Sequence, residues 1–177
     1  MKALIVIDMQ NDFVTGPLGT PEAVAAVDKI KNKLETEKYD FIYFTRDTHG
    51  KYYLETLEGI KLPVPHCIYE TDGWQIVDEL AQFDAKVDKI INKDTFGYCF
   101  WDAMTKLSDF GQNDCIEVVG VCTDICVVSN VLTLKAFYPD TPIQVDASCC
   151  AGTTPEMHQK ALDVMKSCQI DIINEGK

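Results

Sequence analysis

The chain has 177 residues, 46% hydrophobic and 25% charged, with a formal net charge of −12. Its length suits a single domain over residues 1–177 with one sizeable core. The acidic balance argues against nucleic acid or other phosphate-rich partners, which need basic surfaces. No stretch approaches transmembrane length, and the apolar run of MKALIVIDMQ is too short for a signal peptide, so no membrane partner and a cytoplasmic location are expected.

Strand-like and helix-like segments alternate. Residues 3–7 (ALIVI) form a short apolar run, as in a strand buried on both faces. Residues 21–36 place Val24, Val27, Ile30 and Leu34 at helical spacing, with Thr20 and Pro21 as cap and first turn. Strands are expected over 41–45 and 87–92, a helix over 100–107 and a strand over 115–121. A helix follows from about Asp124 to Phe137, and Pro139 and Pro142 stop it. A strand over 142–146 leads to a helix that starts at Thr154–Pro155 and presents Met157, Ala161, Val164 and Cys168 at helical spacing. Residues 170–173 close the chain as a strand. This alternation predicts right-handed βαβ units and a mostly parallel sheet with helices on both faces. Residues 46–71 are irregular in texture and hold two of the three histidines, and long segments of this kind are commonly functional.

Ligands of open α/β sheets bind beyond the carboxyl ends of the strands. Asp8, Asp47, Lys93 and the segment Cys122–Cys126 all follow apolar runs, so a parallel sheet brings them to one rim. Cys126 falls in a first helical turn with Thr123 or Asp124 as N-cap, where a thiolate is favoured. Asp8 is a candidate proton acceptor and Lys93 a candidate counter-ion. The bland alternatives are a buried cysteine, a turn cap and a surface lysine. Asp47, His49 and His66 offer one carboxylate and two imidazoles, a set that suits zinc, iron or manganese. The alternative is two loop histidines with ordinary hydrogen bonds. His158 has no assigned role. The eight cysteines contain no CxxC, and most are expected to be buried fillers.

Six segments taken together resemble the isochorismatase-like cysteine hydrolases, and among these the nicotinamidases. They are LIVIDMQNDF at 4–13, TRDTH at 45–49, LPVPHC at 62–67, NKDTFGY at 92–98, GVCTDICV at 120–127 and DASCCAGTTPEMHQKAL at 146–162. The resemblance implies a three-layer α-β-α fold around a Rossmann-like, mostly parallel six-stranded sheet, and a catalytic triad of Asp8, Lys93 and Cys126. It also implies a cis peptide between Val121 and Cys122, and an oxyanion hole from the backbone of Cys122 and Cys126. The Asp47, His49 and His66 set matches the family's metal site, with Glu58, or alternatively Glu55, as a fourth ligand and zinc ahead of iron or manganese. Phe13 matches a position that lines the substrate pocket, and Phe96 and Tyr98, or Trp101, are further candidates. The implied reaction is hydrolysis of a small amide, nicotinamide first, by a homo-oligomer. The competing expectations are another carbon–nitrogen hydrolase acting on a carbamoyl or ureido substrate, a non-enzymatic binding or assembly module, and a thiol-redox protein.

Overall fold

The apolar run near the N-terminus becomes the central strand β1, Lys2–Ile7, and Ala3 to Ile7 are fully buried. The structure, a computed structural model, describes residues 1–176. Five more strands join β1: β2 (Phe41–Asp47), β3 (Lys89–Lys93), β4 (Cys115–Val121), β5 (Ile143–Ala151) and β6 (Asp171–Ile173). Their order is β3-β2-β1-β4-β5-β6, and every pairing is parallel. Seven α-helices accompany them: α1 (Asn11–Val14), α2 (Pro21–Thr36), α3 (Leu57–Lys61), α4 (Asp78–Ala81), α5 (Trp101–Met104), α6 (Val128–Phe137) and α7 (Pro155–Ser167). Among the described residues, no helix is long and apolar enough to cross a membrane.

Alternation along β1 divides the core in two. Leu4 and Val6 pack with Val27, Ile30 and Leu34 of α2 and Leu80 of α4. Ala3, Ile5 and Ile7 pack with Trp101 of α5, Val131 and Leu134 of α6, and Leu162 and Met165 of α7. The result is a three-layer α-β-α fold. Burying each large aliphatic side chain stabilises it by about 1.5–3 kcal/mol. Gly120 of β4 has φ 118°, and a Cβ there would lie 2.1 Å from the Ile7 carbonyl oxygen, so β4 reaches β1 only because that residue is glycine.

A charged cluster lies between the sheet and α2. Lys33 Nζ is 2.7 Å from Glu117 Oε1, 2.9 Å from Asp146 Oδ2 and 2.8 Å from Glu37 Oε1. Glu117 is fully buried, and its other oxygen pairs with Lys2 at 2.8 Å. Three carboxylates and two lysines this close offset one another's charge, which compensates the burial of Glu117, Asp146 and Lys33.

Several elements differ from the sequence expectation. The helix expected over 100–107 stops at Met104, because the Thr105 hydroxyl donates to the Trp101 carbonyl and also accepts from Leu107 N. Strand β3 starts at Lys89, not residue 87, and Lys93 is its last residue. Strand β5 runs on to Ala151, past a register shift between Val118 and Gly120 of β4. The turn at Thr123–Val127 is a π-helical turn ahead of α6.

Candidate active site

The strand order reverses between β1 and β4, and the carboxyl ends there form the crevice where open α/β sheets bind ligands. Asp8 leaves β1 with φ 49°, a left-handed conformation that Asp tolerates better than most residues. Its Oδ1 accepts from the Thr45 hydroxyl at 2.6 Å, and its backbone N–H donates to the same oxygen at 3.1 Å. Asp47 and Lys93 end β2 and β3 as register partners, so their side chains emerge together.

Lys93 joins the parts. Its Nζ lies 2.6 Å from Asp8 Oδ2, 3.6 Å from Cys126 Sγ and 3.6 Å from Asp47 Oδ1. Asp8 stands near enough to the Cys126 thiol to favour its protonated form. All three residues are at most 5% exposed. Burial alone would lower Lys93, but Asp8, Cys126 and Asp47 outweigh it, and the ammonium is held above its usual value. Burial pushes the Asp8 carboxyl up, with Asp47 adding to the shift and Lys93 opposing it. The Cys126 thiol is raised well above its ordinary value, by burial first and by Asp8 next.

Burial thus works against the thiolate that a helix start was expected to favour at Cys126. The expectation of a cap at Thr123 or Asp124 fails. The Thr123 hydroxyl bonds His158 Nδ1 at 2.7 Å, and the Asp124 carboxylate accepts from Thr153 N at 2.8 Å and from its hydroxyl at 2.6 Å. Neither side chain caps the turn. Instead, both tie it to the segment leading into α7, and this is the role the sequence did not assign to His158. The Val121–Cys122 peptide is cis. The Cys122 carbonyl accepts from Ile125 N and Val127 N, which closes the π turn, a feature often found at functional sites. Burial pushes the Cys122 thiol up to about 12.

The irregular segment after β2 is ordered around four ligating side chains. His49 and Ile68 form a parallel bridge, and the Asp12 carboxylate accepts from Cys67 N at 2.7 Å. Gln10 is fully buried and clamps both Asp47 N and Asp47 O. Thr56 caps α3, and a Cβ on Gly59 would lie 2.1 Å from the Tyr53 carbonyl oxygen, so only glycine allows the turn to fold back. The ligating atoms of Asp47, His49, Glu58 and His66 all lie within 4.8 Å of one another. Individual separations are 3.0 Å (His49 to Asp47), 3.6 Å (His49 to Glu58), 3.6 Å (His66 to Asp47) and 3.8 Å (His66 to Glu58). A tetrahedron with metal–ligand bonds of about 2.0–2.2 Å has edges of roughly 3.3–3.6 Å, so the set fits a zinc-sized ion. His66 Nδ1 donates to the Val64 carbonyl at 2.8 Å, which leaves the Nε2 lone pair facing the other ligands. The Asp47 carboxyl lies below the ordinary range: burial opposes this, and His49, His66 and Lys93 prevail. Glu58, and not Glu55, joins the cluster.

A cavity of about 920 Å³ opens over Cys126 and is bordered by Asp47, Glu58 and His66. Phe13 and Phe96 stand on its walls with Leu18 and Ile125. Tyr98 does not reach it. Its ring packs edge-on to Trp101 and Phe100, and Trp101 is fully buried in the core. Cys126, Asp47, Glu58 and His66 thus border one apolar cleft, with Lys93 and Asp8 buried beside Cys126, and the cleft can hold a small planar ligand against a sulfur and a candidate cation site.

A family model described as the Isochorismatase domain matches residues 2–175. The nicotinamidase of Saccharomyces cerevisiae is 26% identical, with 99% of this chain and 100% of that protein aligned. The nicotinamidase/pyrazinamidase of Mycobacterium tuberculosis is 25% identical, with 98% of each aligned. Among solved structures, the pyrazinamidase of Pyrococcus horikoshii in complex with zinc superposes with a TM-score of 0.78 at 26% identity, over 97% of this chain and 98% of that one. The yeast nicotinamidase structure superposes with a TM-score of 0.80 over 99% and 100%. With a family model spanning nearly the whole sequence, the chain belongs to the isochorismatase family.

Proposed function

We propose that the protein is a cysteine-dependent amidohydrolase that converts nicotinamide to nicotinate and ammonia through a thioester. The observation that carries this reading is the buried Lys93 ammonium, 2.6 Å from Asp8 and 3.6 Å from Cys126. A neutral thiol beside a carboxylate of raised pKa suits proton transfer at the moment of attack. Asp8 takes the Cys126 proton as the sulfur attacks the amide carbon. Backbone N–H groups of Cys122 and Cys126 stabilise the oxyanion. Asp8 returns the proton to the leaving ammonia, then deprotonates the water that cleaves the thioester. Lys93 compensates the negative charge as it passes between the Asp8 carboxylate and the developing thiolate.

Asp47, His49, Glu58 and His66 would hold a divalent ion, zinc ahead of iron or manganese. Bound by these residues, the ion would supply a Lewis-acid contact for a ring nitrogen of the substrate. Phe13, whose ring lies 5.4 Å from that of His66, provides a flat apolar wall beside it. Support comes from the curated relatives named nicotinamidase and from the pyrazinamidase solved with zinc. The proposal includes a cytoplasmic homo-oligomer, for which Leu54, Leu57 and Ile60 offer exposed apolar side chains.

A screen for ammonia release across nicotinamide, pyrazinamide, carbamoyl and ureido compounds tests the reading. Nicotinamide should be turned over fastest, and Cys126→Ala should lose at least about a thousandfold in kcat with the fold intact. Turnover confined to ureido or carbamoyl compounds would assign the site to a different carbon–nitrogen hydrolase.

A further inference from the structure

Asn130 is fully buried on the first turns of α6 and makes three hydrogen bonds. Its Nδ2 donates to the Cys126 carbonyl at 2.8 Å and to the Phe96 carbonyl at 3.0 Å. Its Oδ1 accepts from Tyr98 N at 2.9 Å. Two acceptors and one donor face the amide, so a single orientation satisfies all three, and a carboxylate of the same size would not. Between Asp94 and Cys99, the only hydrogen bonds to the rest of the chain, among the described residues, run to this side chain. Gly97 packs the loop against the same helix: a Cβ there would lie 3.1 Å from the Ser129 carbonyl oxygen. The loop carries Phe96, which lines the cavity over Cys126 and is otherwise 46% exposed. One amide therefore fixes the nucleophile's own backbone and the movable wall of its cleft.

We propose that Asn130 is a positioning residue that holds the Phe96 wall in register with the Cys126 turn, and so sets which amides are hydrolysed. This rests on the amidohydrolase reading above. Without the amide, the loop has no hydrogen bond to hold Phe96 against a ring, while a substrate that lacks a ring has nothing to lose there. An interaction that only orients one part of the substrate should appear as a change in selectivity and in KM, not as a uniform loss.

The test compares wild type with Asn130→Ala. Amide hydrogen exchange of residues 94–99 is read alongside kcat and KM for nicotinamide and for acetamide. Exchange of the Tyr98 N–H, the loop amide that donates to Asn130, should accelerate by at least about tenfold as the tether is lost. The ratio of kcat/KM for nicotinamide over acetamide should fall by about fivefold or more, with most of the change in the nicotinamide KM. Should Asn130→Ala fail to fold, Gly97→Ala displaces the same loop with Asn130 in place, and the same shifts are expected of it. Unchanged exchange, or an equal fall for both amides, overturns the proposal. A wild-type protein inert towards every amide would instead sink the amidohydrolase reading and the selectivity role with it, while the exchange data would still report on the tether.

Discussion

Sulfur, carboxylate and ammonium share a buried space at Cys126, Asp8 and Lys93, and the balance among them decides the resting state. Burial favours the neutral thiol, and Asp8 adds to that, while the Lys93 ammonium pulls the other way. Nucleophilicity thus depends on the base, not on a standing thiolate. Thiol labelling of the ligand-free protein checks this directly. Exposed Cys99 should react first, and Cys126 should lag behind it. Rapid modification of Cys126 ahead of Cys99 would show an ionised sulfur. The sequence held the identities of these three residues, because each follows an apolar run, but not their charge state. Burial and the 2.6 Å contact from Lys93 to Asp8 are properties of the assembled sheet. Thr45, Gln10, Asn130 and His158 were illegible for the same reason. Each is an ordinary polar residue until folding brings Asp8, Asp47, Cys126 or Thr123 beside it.

Secondary structure was readable where one period dominates. Strand β4 and helix α2 have the expected limits, since an apolar run and a capped amphipathic stretch leave little choice. Choosing a helix's buried face was harder. Val24 of α2 and Met157 and Val164 of α7 lie on stripes of helical spacing, yet they are exposed, and Ala23, Leu162 and Met165 are buried instead. Two adjacent stripes were apolar in each helix, and only the angle of the helix on the sheet selects one. The C-terminal half of β5 lost its alternation at the register shift, so its small residues gave no strand period. Beneath α2, Lys33 is the counter-charge for Glu117 and Asp146. Lys33→Met should destabilise the fold by about 3 kcal/mol or more in urea unfolding, because buried Glu117 would keep Lys2 alone as counter-charge and buried Asp146 would lose its lysine. Burial alone would raise the Asp146 carboxyl, but Lys33, with Ser148 and Asn174, brings it below its ordinary value, and Glu37 is lowered to about 2 by its lysine partners against burial. Lowered folded pKa values mean that the fold favours the ionised forms. Their contribution is complete above the unfolded carboxylate range, about pH 4, and disappears as pH falls through the folded values. Stability measured across that range should therefore drop on acidification in wild type, with a shallower slope in Lys33→Met. An equal slope in both would mean that the cluster contributes nothing to acid sensitivity.

At the scale of the molecule, the strand order converts sequence distance into contact. Residues 8, 47, 93 and 126 meet because β1, β2, β3 and β4 are parallel neighbours that end on the same side. Alternating apolar segments were enough to predict that sheet. The placement of the 46–71 segment was not predictable from them, since His49, Glu58 and His66 are brought to Asp47 by a backbone bridge, a capped short helix and the Asp12 carboxylate. Removing a bound ion with a chelator should abolish nicotinamide turnover and lower the melting temperature, and zinc should restore both. Loss of neither would remove the metal role of the four ligating residues. The central claim is covalent chemistry at Cys126, and intact-mass and peptide mass spectrometry of enzyme acid-quenched during nicotinamide turnover test it most directly. A nicotinoyl group on the peptide containing Cys126, absent from Cys126→Ala, is the result the account predicts. Steady turnover by Cys126→Ala, or the acyl group on a different residue, would contradict it.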